Sequence, residues 1–124
     1  MSSLIYKQES YDIIGACMEV HKELGKGFSE IVYGGALEVE FKKTGIDYQR
    51  EVKFNIIYKG NLLPHYYLAD FIINDKIVLE IKAIECLTKS HVKQTLNYLA
   101  ASKIKLGLLV NFGEDSLNYK RILL

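Results

Sequence analysis

Apolar residues along this chain recur first with a helical period and later with a strand period. Between about Glu9 and Leu24, residues Ile13, Cys17, Val20 and Leu24 fall at i, i+4, i+7 and i+11, with Ile14, Met18 and His21 on the adjacent stripe. That spacing predicts an amphipathic helix. GKGF (25–28) breaks it. A second helical pattern runs from Ser29 to about Lys43, with Tyr33, Leu37 and Phe41 on one line, and stops at Thr44-Gly45. Inside it, Gly34-Gly35 cost about 1 kcal/mol per glycine against alanine, which points to close backbone packing.

The period then changes. Three strands are expected at about 48–58, 62–73 and 76–84, joined by the turn formers Lys59-Gly60-Asn61 and Asn74-Asp75. Pro64 cannot donate to a ladder, so its strand should begin at an edge. Thr88 reads as the N-cap of a helix over about 89–103, with Val92, Leu96 and Leu99 as its apolar line. The run KLGLLVNF (105–112) is continuous rather than alternating, as in a strand covered on both faces. The order α-α-β-β-β-α-β makes the last helix a crossover that sets the fourth strand parallel to the third. An α/β fold follows, with a mixed sheet of about four strands flanked by helices. The tail LNYKRILL fits either an edge strand or a short helix.

Length and composition narrow the class. At 124 residues, 49% hydrophobic and 25% charged, the chain reads as a single domain over 1–124 with one core. Its net charge of +1 gives no bulk signature of a nucleic-acid binder, so any such partner needs a local patch. Cys17 and Cys86 form no CxxC pair and read as two free thiols in a reducing cytoplasm. MSSLIYKQES has no signal core, and no run reaches membrane-spanning length. The expectation is a soluble, cytoplasmic protein without a membrane partner.

The chemistry concentrates in DFIINDKIVLEIKA (70–83). Glu80 and Lys82 are two apart in a strand and point the same way. Pairing about Asn74-Asp75 matches residue i with 149 − i, which sets Asp70 near Leu79 and within ~8 Å of Glu80. Two carboxylates beside an ammonium are stable when a positive charge sits between them, and a divalent cation serves well. Such a set suits phosphodiester hydrolysis, in which metal and lysine together stabilise developing charge.

Asp70, nine intervening residues and then Glu80-Ile81-Lys82 resemble the signature of the PD-(D/E)XK nuclease superfamily. Gly27-Phe28-Ser29-Glu30-Ile31-Val32-Tyr33 reads GxxExxY, the motif that names a family of small bacterial proteins in that superfamily. Gln94-Thr95-Leu96-Asn97-Tyr98 reads QxxxY, resembling the RecB-like and lambda-exonuclease-like branch, and GLLVNFG (107–113) resembles the last core strand. The match runs from about His21 to Arg121. One departure is Ala69, which stands where the superfamily often has proline.

The resemblance implies a restriction-endonuclease-like core and hydrolysis of DNA, or less readily RNA. It implies Mg²⁺ or Mn²⁺ held by Asp70, Glu80 and the Ile81 carbonyl, with Glu30 or His21 as a further ligand. Lys82 would assist the attacking water, with Glu30 among the catalytic groups, and Gln94 and Tyr98 would reach a phosphate. A bare core of this size would need a homodimer or a protein partner for selective cutting.

Each residue also has a plainer reading. Glu80 and Lys82 could be a solvated pair worth about 0–1 kcal/mol. Glu30 lies in the first turn of its helix, where a carboxylate gains about 0.3–1 kcal/mol from the dipole. Gln94 lies about 200° around its helix from Val92, on an ordinary solvent face. His21 borders an apolar stripe as a satisfied, partly buried histidine would, and Tyr33 reads as packing. KELGKG (22–27) lacks the spacing and preceding strand of a phosphate loop. Two other functions remain open: a catalytically silent binding module on the same fold, and a hydrolase of a small phosphodiester or nucleotide.

Overall fold

The computed structural model describes residues 5–124; the first four residues of the leaderless N-terminus expected above lie outside them. The elements are α1 (Lys7–Leu24), α2 (Glu30–Thr44), β1 (Tyr48–Tyr58), β2 (Asn61–Ile73), β3 (Ile77–Lys82), α3 (Lys89–Ser102), β4 (Leu106–Asn111) and β5 (Asn118–Leu123). One five-stranded sheet has the order β1-β2-β3-β4-β5, with β3 and β4 parallel and the other neighbours antiparallel. The expected four strands become five. The ambiguous tail pairs with β4 from Asn111↔Asn118 to Leu106↔Leu123 and covers the sheet's second edge.

Helices α1 and α2 cover one face. Ile13, Cys17 and Val20 of α1 and Tyr33, Leu37 and Phe41 of α2 pack there on Phe71, Leu79, Leu108 and Val110. Met18, from the adjacent stripe of α1, is 50% exposed instead. Helix α3 covers the other face, where Leu99 packs with Ile72, Val78 and Leu109. Val92 and Leu96 are only partly buried, and Thr95 is buried with Leu99. A Cβ on Gly107 would lie 2.8 Å from the Thr95 methyl, so this glycine lets α3 sit close on β4. Thr88 N–H donates to His91 Nδ1 at 3.0 Å, closing the start of α3 as expected.

Two departures from ideal strands shape the site. Asn74 and Asp75 both have positive φ, and Ile73 O accepts from Lys76 N–H at 2.9 Å, as in a two-residue hairpin turn. Yet the ladder pairs Ile73 with Ile77 and leaves Lys76 out. That extra residue moves the register to 150 − i, a correction of one that brings Asp70 level with Glu80 rather than Leu79.

The second departure is a change of face. Phe71 and Ile73 face α1 and α2, while Ala69 packs with the α3 cluster; in β1, Tyr48 lies on the first side, and Val52 and Phe54 on the second. Strict alternation forbids this. Both strands therefore switch at Glu51 and Asp70, the positions missing from the ladder between Arg50↔Phe71 and Val52↔Ala69. Glu51 takes up the bend with φ +55, a conformation disfavoured for a side-chain-bearing residue.

Beyond this bend the hairpin runs on past β3, which pairs only with Phe71–Ile73. Pro64 lies in that free portion, within an irregularity between Asn55↔Tyr66 and Ile57↔Leu62, where its missing N–H breaks no bond.

Candidate active site

The ladder between β2 and β3 stops at Phe71↔Leu79. One step further the strands part, and side chains replace the lost backbone bonds. Asp70 N–H donates to Glu80 Oε2 at 2.8 Å, and Ile81 N–H donates to Asp70 Oδ2 at 2.8 Å. Each carboxylate is thus oriented by the backbone of the opposite strand. Among the described residues, Asp70 Oδ1 and Glu80 Oε1 receive no donor from the protein.

Burial and proximity act together on this pair. Glu80 is only 3% exposed. Burial and then the Asp70 charge push its carboxyl up from 4.5 to about 8, and the N–H bond from Asp70 opposes the rise. Asp70 is also raised, mainly by burial, with its Ile81 N–H bond pulling the other way and Glu30 adding repulsion. In this environment a proton is favoured on the pair at neutral pH.

Other elements bring further groups. Glu30 opens α2, and its Oε2 accepts from Ala83 N–H at 3.3 Å, just past the end of β3. Lys82 is half-buried, two residues from Glu80, and pairs in the parallel ladder with Asn111. Asn111 is wholly buried and pulls the chain out of the sheet at this point. Its Nδ2 donates to Ile84 O at 2.9 Å, and its Oδ1 accepts from Ile84 N–H at 3.0 Å. That is why β3 ends at Lys82 rather than residue 84. Gly113 completes the join, since a Cβ there would collide with the backbone of Ile84.

Tyr98 of α3 packs edge-on against Tyr67, with ring centres 5.5 Å apart. Burial, followed by the Glu80 and Asp70 charges, pushes its hydroxyl up to about 12, so this ring lies within reach of the acids. Gln94, one turn earlier, is exposed, and its side chain has no hydrogen-bond partner among the described residues. His21 stands apart: its Nε2 is 2.9 Å from Glu114 O, and its ring lies 6.2 Å from that of Phe112. Tyr33 packs as expected, stacked on Phe112 at 4.6 Å, and its hydroxyl donates to Gly25 O at 2.6 Å, holding the loop before α2. Of the expected set, the structure gathers Glu30, Asp70, Glu80, Ile81, Lys82 and Tyr98, and leaves His21 and Gln94 outside.

Sequence reasoning missed Arg50 and Glu51. Both line a cleft of about 200 Å³ with Glu30, Ile31, Asp70, Phe71 and Ile81. Glu51 could have been found by carrying the β1–β2 register to Asp70. Arg50 depends on a partner in α2, so no local pattern marks it.

Among the described residues, no three His, Cys, Asp or Glu side chains form a ready metal cage. The donor chemistry nonetheless suits a hard divalent cation. Two anchored carboxylates each keep a free oxygen, and their mutual repulsion is what a cation relieves.

Comparison with known proteins bears on the family and the fold. A family model described as the PD-(D/E)XK nuclease superfamily matches residues 7–122. No curated protein matches in sequence. The solved structure titled "Crystal structure of SSO0001" superposes with a TM-score of 0.57 at 22% identity, covering 95% of this chain and 59% of that one. An alkaline exonuclease from Laribacter hongkongensis superposes with a TM-score of 0.55 at 13% identity, covering 99% of this chain and 72% of that one. The chain therefore spans about three-fifths of the first protein's length, and at these identities the likeness is one of fold.

Proposed function

The chain belongs to the PD-(D/E)XK nuclease superfamily, and from that premise we propose that it is a metal-dependent phosphodiester hydrolase acting on DNA, with RNA second. The observation that carries this reading is the parting of β2 from β3, with each acid held by the other strand's backbone. A structural ion pair needs no such arrangement. Asp70, Glu80 and the Ile81 carbonyl are the proposed ligands of Mg²⁺ or Mn²⁺, with Glu30 as the additional acid. When bound, the metal supplies Lewis acidity toward water and the scissile phosphate. Lys82 Nζ holds the attacking oxygen and stabilises its charge, Tyr98 supports a phosphate beside the acids, and Gln94 contacts the strand from the exposed side of α3.

A polymeric substrate is favoured over a small one. The cleft of about 200 Å³ is smaller than the ~300–1,000 Å³ typical of small-ligand pockets. It fits one phosphodiester of a longer strand. The hairpin beyond the bend offers that strand a surface: residues 52–69 carry Lys53, Lys59 and His65 with no acid. There Lys53 Nζ sits 4.3 Å above the Tyr66 ring. A local basic and aromatic surface offsets the near-neutral total charge. The same reading takes the chain as one domain of the bacterial GxxExxY family working in the cytoplasm, with a second copy or a protein partner for selectivity. No helix among the described residues is long and apolar enough to cross a membrane.

The test is incubation of the purified protein with end-labelled single- and double-stranded DNA and RNA, in Mg²⁺, Mn²⁺ or EDTA. Cleavage that needs metal and disappears in Asp70→Asn is the expected result. No cleavage of any substrate, with metal binding intact, favours the silent binding module.

A further inference from the structure

We infer that Arg50 is the phosphate-holding group of this site, its guanidinium receiving a non-bridging oxygen of a nucleic-acid phosphate that crosses the cleft beside Asp70. This deepens the nuclease reading and rests on it.

The guanidinium is fixed with unusual care. Nη1 donates to Glu38 Oε2 at 2.6 Å, while Tyr48 holds the other oxygen of Glu38 at 2.9 Å. Nη2 reaches Ile31 O at 3.5 Å, in the first turn of α2. The group lies 5.7 Å from the centre of the Phe71 ring. It also rests on Gly34, where any Cβ would collide with Nη2. This contact accounts for the first of the two helical glycines; Gly35 has no atom within 4 Å of its Cβ position.

A plain ion pair does not require this setting. A guanidinium has five N–H donors, and the contacts to Glu38 and Ile31 occupy two. The side chain stays 25% exposed and lines the cleft with Asp70 and Glu30. It is not the partner of Asp70, whose carboxylate accepts from the Ile81 N–H instead. The result is a rigid cation with free donors facing a cleft whose other charged walls, Glu30, Glu51 and Asp70, are acidic. Phosphate is the ligand class that fits such a fork, and the planar fork is what lysine lacks. Arg50 pairs with Phe71, the residue after Asp70, so a phosphate on it lies next to the acids.

Fluorescence anisotropy of a short labelled DNA oligonucleotide tests this across KCl concentrations, with Ca²⁺ replacing Mg²⁺ to suppress cleavage. Mn²⁺ affinity is measured in parallel by calorimetry. Arg50→Gln should weaken DNA binding about tenfold and lower the log–log salt slope by ~0.7–0.9, the loss of one phosphate contact. Its Mn²⁺ affinity should remain at the wild-type level. Gly34→Ala, which keeps Arg50 but displaces it, should weaken DNA binding in the same direction. Arg50→Lys should keep the slope and lose affinity. If Arg50→Gln does not fold, as judged by circular dichroism, the Lys and Gly34 variants carry the test. An unchanged salt slope in Arg50→Gln overturns the inference, as does wild-type DNA affinity in both Gly34→Ala and Arg50→Lys. A wild-type protein that binds metal but no oligonucleotide overturns the nuclease reading, and this inference with it.

Discussion

Replacing Glu80 by glutamine isolates the electrostatic strain of the acid pair. Glu80 Oε2 accepts one N–H bond from Asp70, and a glutamine carbonyl can keep that bond. What the substitution removes is a buried charge whose carboxyl is raised from 4.5 to about 8. At 1.36 kcal/mol per pH unit this interval is worth about 5 kcal/mol. The amide still needs its own hydrogen bonds beside Asp70, so about half is recovered, or ~2 kcal/mol. The sign follows from proton binding. Between pH 4.5 and about 8 the folded protein holds more protons than the unfolded chain, so stability falls as pH rises through this window and levels off above it. Because that amide cost is the same at every pH, Glu80→Gln should lie ~2 kcal/mol below wild type near pH 5 and exceed it by ~2 kcal/mol at pH 8. At about 2.1 cal/mol/K of unfolding entropy per residue, that is roughly 8 °C in Tm. Melting followed by circular dichroism in EDTA, from pH 5 to pH 8, measures it. A pH-independent difference from wild type, or a variant that melts below wild type at pH 8, would show that no strained charge sits on Glu80.

Lys82→Ala should leave Mn²⁺ affinity at or slightly above wild type and lower turnover by ~10²–10³ under saturating Mg²⁺; recovery of wild-type turnover would make Lys82 a counter-ion only. Leu99→Ala should cost roughly 2–5 kcal/mol in urea unfolding, because Leu99 is fully buried between α3 and the sheet. Gln94→Ala, on the exposed side of the same helix, should cost under about 0.5 kcal/mol and act on turnover instead. Glu51→Gly should stabilise the protein by about 0.5–1 kcal/mol, since glycine accepts the φ of +55 without the ~1–2 kcal/mol that a side chain pays. A loss of stability there would mean that the Glu51 side chain, not its backbone, holds the bend.

Much of the fold was legible because its signals are local. The helical stripe Tyr33, Leu37 and Phe41 is wholly buried, and β1 spans the residues expected from its pattern. Asp70, Glu80 and Lys82 stand close in sequence, separated by a readable turn, so their convergence could be inferred. The exact register could not, because one unpaired residue, Lys76, shifts it. The tail became a strand through pairing with β4, a partner no local propensity reveals. Arg50 was invisible for a similar reason: its meaning depends on Glu38 and Gly34, which reach it only once α2 packs beside β1. The solvent face expected for Gln94 is its observed setting, whereas His21 turned toward Glu114 because the chain after β4 returns past the end of α1.

On the proposed function, the parted strands hold a divalent cation between Asp70 and Glu80. Isothermal titration of Mn²⁺ at pH 8 into wild type, Asp70→Asn and Glu80→Gln tests it most directly. A saturable site is expected in the wild-type protein and affinity at least about tenfold weaker in each variant, because each removes one of the two anchored carboxylates. Wild-type Mn²⁺ affinity in both variants would contradict it.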